Sequence, residues 1–575
     1  MKRILLTILF GLWINPIVGA EPERPKLVVL VLFDQMRGDY LSRWEKHFTD
    51  DGFKRIMTQG SWFTECHYPY GVTTTGPGHA SIMTGTSPDV HGIINNSWYD
   101  RKSGKTVNCA QSPRYKVVSD KPAKPVEEKT DPKGSNSTEK STTEKAVSGS
   151  PDYLEAPTVG DAMHSAGMRK SKIIGISYKD RSALFPVGRR GYAYWLDNDM
   201  TLITSTYYRE TLPPWASEFN KLKKADAWFG KDWNRFLPDL DYTADSGPDF
   251  VIGEGKGSKQ GITFPHPMGF GEKTPGKVYY EALYNSPFGN DYLFEIFKEV
   301  VIKEELGQDE FPDLLTVSFS SNDIVGHCWG PDSQEVMDTT IRSDRMFAQL
   351  LKFLDEKVGA GKYLLAVTAD HGICPLPEVS EEKNLDAGRW MNTKYTKLAE
   401  SHLREKFDPK NLLDEKQRFI EATSLPWYYL NEKVLEQLKL DKNTVAEELA
   451  QFLLKCPGVY GAYPASKFTD DTVTDPHFKR MKRSYFPSRS GDVCLLLKPY
   501  WLPGGDSPTA SGTTHGSPYR YDTHVPLILY GTNIKAGIHK TPVTPQAIAP
   551  IFAKALGIAP PAKCDTKCPE SIWRE

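Results

Sequence analysis

Five residues of metal-ligating type stand just past the ends of apolar runs. Asp34 follows Leu27–Phe33, Asp323 and His327 follow Leu314–Phe319, and the adjacent pair Asp370 and His371 follows Tyr363–Val367. The four-residue spacing puts Asp323 and His327 on one face of a helical turn. A single Asp after a strand is ordinary, because Asp favours turns and helix caps. The set is another matter: three carboxylates and two imidazoles at one sheet edge would strand charge unless cations neutralised them. Mixed carboxylate and imidazole donors suit Zn²⁺ best, ahead of Mn²⁺ or Fe²⁺. Five donors exceed what one open zinc site uses. Two metals roughly 3.5–4 Å apart are the usual clamp for phosphoryl transfer.

A second segment, Thr73-Thr74-Thr75-Gly76-Pro77-Gly78-His79-Ala80-Ser81, offers hydroxyls ahead of what reads as a helix start. Unpaired N–H groups and a partial positive charge at a helix N-terminus suit a bound phosphate. A metal that lowers the pKa of a nearby hydroxyl would make it a nucleophile. The chemistry leaves the three threonines equal. His79 and His91, in and after this helix, read as packing and hydrogen-bonding residues.

The elements that must position these groups form an α/β pattern. Buried-strand runs at 27–33, 172–176, 314–319, 363–367 and 525–530 alternate with helical periods. Leu293, Ile296, Phe297, Val300 and Val301 mark one such helix, and Phe347, Leu350, Leu351, Leu354 and Val358 another. A third runs from about Pro545 to Leu556 and stops at Gly557. Alternating strands and helices predict a mostly parallel central sheet flanked by helices, with ligands outside the strand carboxyl ends. Two stretches, about 185–290 and 375–490, show no clean period and read as cap insertions. Residues 119–150, rich in Lys, Pro, Glu, Ser and Thr, read as a low-complexity surface insertion. Asn136-Ser137-Thr138 within it matches a glycosylation sequon by pattern alone.

The chain has 575 residues, 39% hydrophobic and 25% charged, with 71 basic and 73 acidic residues. The resulting net charge of −2 gives no support to nucleic-acid binding or a polybasic membrane anchor. Lys2 and Arg3, the apolar run Ile4–Trp13 and Val18-Gly19-Ala20 predict a signal peptide over 1–20 and an exported protein over 21–575. No run is long enough to predict stable membrane insertion. Cys328 and Cys374 carry no C-x-x-C spacing and read as structural. Cys564 and Cys568, a C-x-x-x-C pair, could bridge in an oxidising compartment.

Six phrases, TGPGHASIMTG, HGIINNSWYD, SYKDR, SNDIVGH, TADHG and TTHGSPYRYDTHVP, resemble the PafA-type branch of the alkaline phosphatase superfamily, in order from about residue 26 to the last helix. The resemblance implies Thr75, the residue before Gly-Pro-Gly-His, as nucleophile. It implies one zinc site of Asp34, Asp370, His371 and the Thr75 oxygen, and another of Asp323, His327 and His515, two Zn²⁺ per chain. His524, nine residues on from His515, is the rival and reads as a structural neighbour. The resemblance also implies that Asn96, Lys179 and Arg181 hold the phosphate oxygens. A Lys and an Arg fork suit the extra charge of a monoester dianion. The expected activity is hydrolysis of small phosphate monoesters through a phosphothreonine. A nucleotide pyrophosphatase/phosphodiesterase is the alternative, and a sulfatase lacks its Cys/Ser-x-Pro-x-Arg motif here.

Overall fold

The computed structural model describes residues 23–121, 149–504 and 510–574. The expected leader at 1–20, the Asn136 sequon and most of the 119–150 stretch lie outside the described residues. The two ends of that stretch are packed. Lys121 Nζ pairs with Asp197 at 2.7 Å and Asp199 at 2.5 Å, and the Ser150 amide donates to the Ala110 carbonyl.

Ten strands form one sheet: β1 (Leu27–Phe33), β2 (Ser61–Phe63), β3 (Val117–Val118), β4 (Ile173–Ser177), β5 (Tyr192–Leu196), β6 (Leu202–Ser205), β7 (Asp313–Phe319), β8 (Tyr363–Thr368), β9 (Leu527–Gly531) and β10 (Gly537–His539). Their spatial order is β10-β2-β9-β8-β1-β7-β4-β5-β6-β3. The five central strands, β8 to β5, run parallel, whereas β9 runs antiparallel to β8 and β6 antiparallel to β5. β1, β4, β7 and β8 are buried along their whole length, as strands covered on both faces must be. In register, Phe33 sits opposite Phe319 and Leu32 opposite Thr368. Asp34, the chain after Phe319 and the Asp370-His371 pair therefore leave the sheet at one edge.

The helices that matter are α1 (Thr75–Thr84), α2 (Asp180–Val187), α3 (Pro287–Lys303), α4 (Ser321–Trp329), α5 (Gln334–Leu354) and α6 (Ile548–Leu556). α3 and α5 bury the apolar faces their periods predict. α6 ends at Gly557 with φ 66°, a left-handed cap that glycine takes without strain.

Both expected cap stretches differ from expectation. The first begins inside the sheet: β5 and β6, at 192–205, extend the central layer because their side chains are almost all buried. The second holds an antiparallel four-stranded sheet, ordered Ile420–Ser424, Trp427–Leu430, Val493–Leu497, Val459–Pro464. Helices Asn392–Phe407 and Lys442–Leu454 share its own apolar core, which includes Trp390, Tyr428, Leu449 and Val493. The unit runs past residue 490, because Val493–Leu497 is one of its inner strands.

Part of the first stretch, around Trp233 and His266, packs on α4 and α5. His266 lies between Trp233 and Trp329, with ring centroids 5.0 and 4.7 Å away, and its Nε2 is 3.1 Å from Glu335 Oε1. Burial, reinforced by the charge of Glu335, pushes the Glu254 carboxyl from 4.5 up to about 9. The folded protein thus keeps a proton that the unfolded chain releases above about pH 4.5. Stability from this group is full at low pH and falls as pH rises toward about 9. Glu254→Gln is expected to raise Tm more at pH 9 than at pH 5 in scanning calorimetry. Equal shifts at both pH values would place that proton elsewhere.

Candidate active site

β1 delivers Asp34, which is fully buried. Its Oδ2 accepts from Lys179 Nζ at 2.8 Å, and its Oδ1 lies 3.5 Å from His371 Nε2. Asp370 and His371, after β8, are equally buried, with Asp370 Oδ2 3.3 Å from His371 Nε2. α4 places Asp323 Oδ1 3.2 Å from His327 Nε2, on the one helical face that their spacing predicts. His515 comes from a loop near the chain's end, its Nε2 3.8 Å from the same Asp323 oxygen, and its ring stacks on His371 at 3.5 Å. His524 is elsewhere, beside Glu65 and His67.

Two donor clusters result, Asp34/Asp370/His371 and Asp323/His371/His515, with His327 at the edge of the second. Two observations fit them to metal ions. Among the described residues, Asp34 Oδ1 and Asp370 Oδ2 are buried without a hydrogen-bond partner, although His79 Nδ1 lies 3.3 Å from the latter, a costly state for a carboxylate oxygen unless a cation meets it. Each imidazole donates Nδ1–H to a backbone carbonyl: His327 to Thr513 (2.7 Å), His371 to Gly372 (2.9 Å) and His515 to Thr73 (2.8 Å). Those bonds fix the tautomer that leaves Nε2 as the lone-pair donor, the usual support of a metal-binding histidine. Burial, then the neighbouring His371 and His327, holds His515 well below its usual pKa and so in its neutral, ligating form.

α1 starts at Thr75, so Gly76-Pro77-Gly78 lies in its first turn, at the helix start that the sequence predicts. Proline is tolerated there because first-turn amides lack helical partners. Gly78 is required by contact: a Cβ would sit 2.3 Å from the Asp370 carbonyl. Thr75 is buried, with Oγ1 3.5 Å from His371 Nε2. The neighbouring hydroxyls are occupied, Thr73 donating to the Ser517 carbonyl and Thr74 to Asn95 Oδ1. His79 donates to the Thr75 carbonyl and meets Ser318 Oγ, while His91 meets Ser81 Oγ and accepts from the Ile93 amide. Both do the packing work expected of them. Cys328 and Cys374 are held as thiols, burial pushing the Cys328 group up to about 12.

Asn96 Oδ1 accepts from the Gly76 amide at 2.7 Å, which fixes its NH₂ as a donor beside α1. Arg181 sits in the first turn of α2, its Nη1 3.9 Å from Asp180 Oδ1. Lys179, expected to hold phosphate, here bridges two carboxylates, Asp34 at 2.8 Å and Asp323 at 2.6 Å. Burial opposes its charge, but Asp323 and Asp34 outweigh burial and hold the ammonium well above its usual pKa. Two buried carboxylates need a cation, and Lys179 is the one at hand.

Gln35 escaped the sequence reading. It takes a left-handed backbone, φ 69°, donates its amide to Asp370 Oδ1 at 3.1 Å, and its Nε2 to Asp323 Oδ1 at 2.5 Å, orienting a ligand of each cluster. Gly326 makes room for it, since a Cβ there would meet Gln35 Oε1 at 2.0 Å. Nothing in an Asp-Gln dipeptide signals this.

The family model described as type I phosphodiesterase / nucleotide pyrophosphatase matches residues 28–518. The chain is 33% identical to alkaline phosphatase PafA of Elizabethkingia meningoseptica, covering 98% of this chain and 97% of that one. It is 33% identical to alkaline phosphatase PhoV of Synechococcus elongatus, over 94% and 91% of the two chains. The crystal structure of wild type PafA superposes with a TM-score of 0.84 over 96% of this chain and 99% of that chain. A PafA variant with Thr-to-Ser, Asn-to-Ala, Lys-to-Ala and Arg-to-Ala substitutions superposes equally well.

Proposed function

The chain belongs to the type I phosphodiesterase/nucleotide pyrophosphatase family within the alkaline phosphatase superfamily, and we propose that it is an exported alkaline phosphatase that hydrolyses small phosphate monoesters through Thr75. The observation that carries this is the placement of the Thr75 hydroxyl at the N-terminus of α1, against His371, which belongs to both clusters of metal-binding donors.

Asp34, Asp370 and His371 would hold one zinc ion with the Thr75 oxygen, and Asp323, His327 and His515 the other. Zinc bound there supplies Lewis acidity at both ends of an in-line displacement. Thr75 Oγ1 gives up its proton and attacks phosphorus, forming the Oγ1–P bond as the ester oxygen leaves with its electron pair and takes up a proton to become the free alcohol. Water then cleaves that phosphothreonine and restores the hydroxyl. The first-turn amides of α1, the Asn96 NH₂ and the Arg181 fork face the equatorial oxygens as charge moves onto them. With cations in both clusters, the Lys179 ammonium no longer has to serve Asp34 and Asp323 and can pair with the substrate. The Thr, Asn, Lys and Arg substituted together in the PafA variant are the same residue types proposed here.

Export rests on the N-terminal sequence; among the described residues no helix is long and apolar enough to cross a membrane. The deciding test compares kcat/KM for a monoester and a diester of one leaving group. The monoester is expected to be the better substrate by a wide margin. A preference for the diester would favour the nucleotide pyrophosphatase reading that the family's description also allows.

A further inference from the structure

A second set of metal-ligating side chains lies outside the site just described. His67, in the segment after β2, is bridged in antiparallel register to His524, just ahead of β9. Their rings stack with centroids 4.7 Å apart and planes 21° from parallel. Glu65 Oε2 lies 3.1 Å from His67 Nε2, and one donor atom from each of Glu65, His67 and His524 falls within 4.8 Å of the other two.

The protonation pattern suits a cation. His524 Nε2 donates to the Thr64 carbonyl at 2.9 Å, so Nδ1 carries the lone pair. His67 Nε2 lies 3.2 Å from Arg520 Nη1 and 3.1 Å from Glu65 Oε2, and in the tautomer that accepts from Arg520 its lone pair is on Nε2. The same Arg520 nitrogen donates to Glu65 Oε2 at 2.9 Å. A positive group therefore already sits between the carboxylate and an imidazole lone pair, where a metal ion would draw on both. The hydrogen bond from Arg520 holds Glu65 down at about 2, and burial holds His67 down at about 4, so both are in their ligating forms at neutral pH. The Arg520 side chain is 61% exposed.

We propose that Glu65, His67 and His524 form a third divalent-cation site of zinc type, separate from the catalytic pair, for which the Arg520 guanidinium competes. Two imidazoles and one carboxylate are a familiar zinc set with a fourth position open to water. Its role is a clip. The segment ending at His524 also braces the metal-binding loop, the Asp522 and Tyr521 carbonyls accepting from the Gly372 and Ile373 amides. A cation on His524 would tie that segment to the chain after β2 and resist its opening.

The test titrates Zn²⁺ into enzyme dialysed to its tightly held metal, using a chromophoric chelator as competitor and recording Tm at each step. Wild type is expected to take one further equivalent with a rise in Tm. His67→Ala and Glu65→Gln are expected to lose that equivalent and that rise while keeping monoester turnover, which also reports that they fold. Arg520→Ala is expected to bind the extra ion on the order of tenfold more tightly, because a like charge has been removed from its side. If the extra zinc persists in both His67→Ala and Glu65→Gln, or wild type takes none, the site does not exist. If Arg520→Ala binds it no more tightly, Arg520 is not its competitor.

Discussion

Thr75→Ala is expected to lower kcat for a phosphate monoester by on the order of a thousandfold or more, the scale on which removal of a nucleophile acts. The fold should survive. The Thr75 hydroxyl comes only within 3.5 Å of His371, its carbonyl still accepts from His79, and alanine is a good helix former. Zinc content near two per chain should be kept, which separates loss of the attacking group from loss of metal. Thr75→Ser keeps an Oγ at the same place and should retain a measurable part of the rate. Trapping with a labelled monoester should put phosphate on Thr75 in wild type and on nothing in the alanine variant. Label on Thr73 or Thr74 would overturn the assignment, against the structural bonds that already occupy those two hydroxyls.

Lys179→Ala and Arg181→Ala should each cost more on a monoester than on a diester. A bound monoester presents one more anionic oxygen, and a charged hydrogen bond to it is worth about 1.5–3 kcal/mol. At about 1.4 kcal/mol per decade, that is roughly tenfold to a hundredfold in kcat/KM. Diester hydrolysis should change far less, because its neutral substituent has no use for the cation. Lys179 needs a control that Arg181 does not. Its ammonium also neutralises Asp34 and Asp323, so zinc content must be measured before its loss is charged to substrate binding. Equal losses on both esters, with metal intact, would remove monoester selectivity from these residues.

Much of the site was legible in the sequence because its ligands follow strand ends. A buried parallel strand is a continuous apolar run, and its direction fixes which end opens onto the crevice. Asp34, Asp323 and Asp370-His371 could therefore be assigned to one edge before any coordinates, and the helical spacing paired Asp323 with His327. The α/β class and the mostly parallel sheet followed from the same runs. The cap was less legible. Its strands are short, and two of their three antiparallel pairings, those of Val493–Leu497 with Trp427–Leu430 and with Val459–Pro464, close gaps of tens of residues, so the register depends on partners that no local period encodes.

Tertiary contact decided the rest. His515 and His524 are equal by type and differ only in where folding carries them: one onto His371, the other onto His67. Among Thr73, Thr74 and Thr75, helix geometry and the neighbours' hydrogen bonds single out one hydroxyl facing the donor clusters. The resemblance implies Lys179 as a phosphate ligand, and the fold adds that its ammonium also meets two buried carboxylates, because desolvated charges must be balanced locally. Gln35 enters the site only through a left-handed backbone and the space beside Gly326. Residue type and spacing thus set what chemistry was available, and long-range packing set which atoms meet.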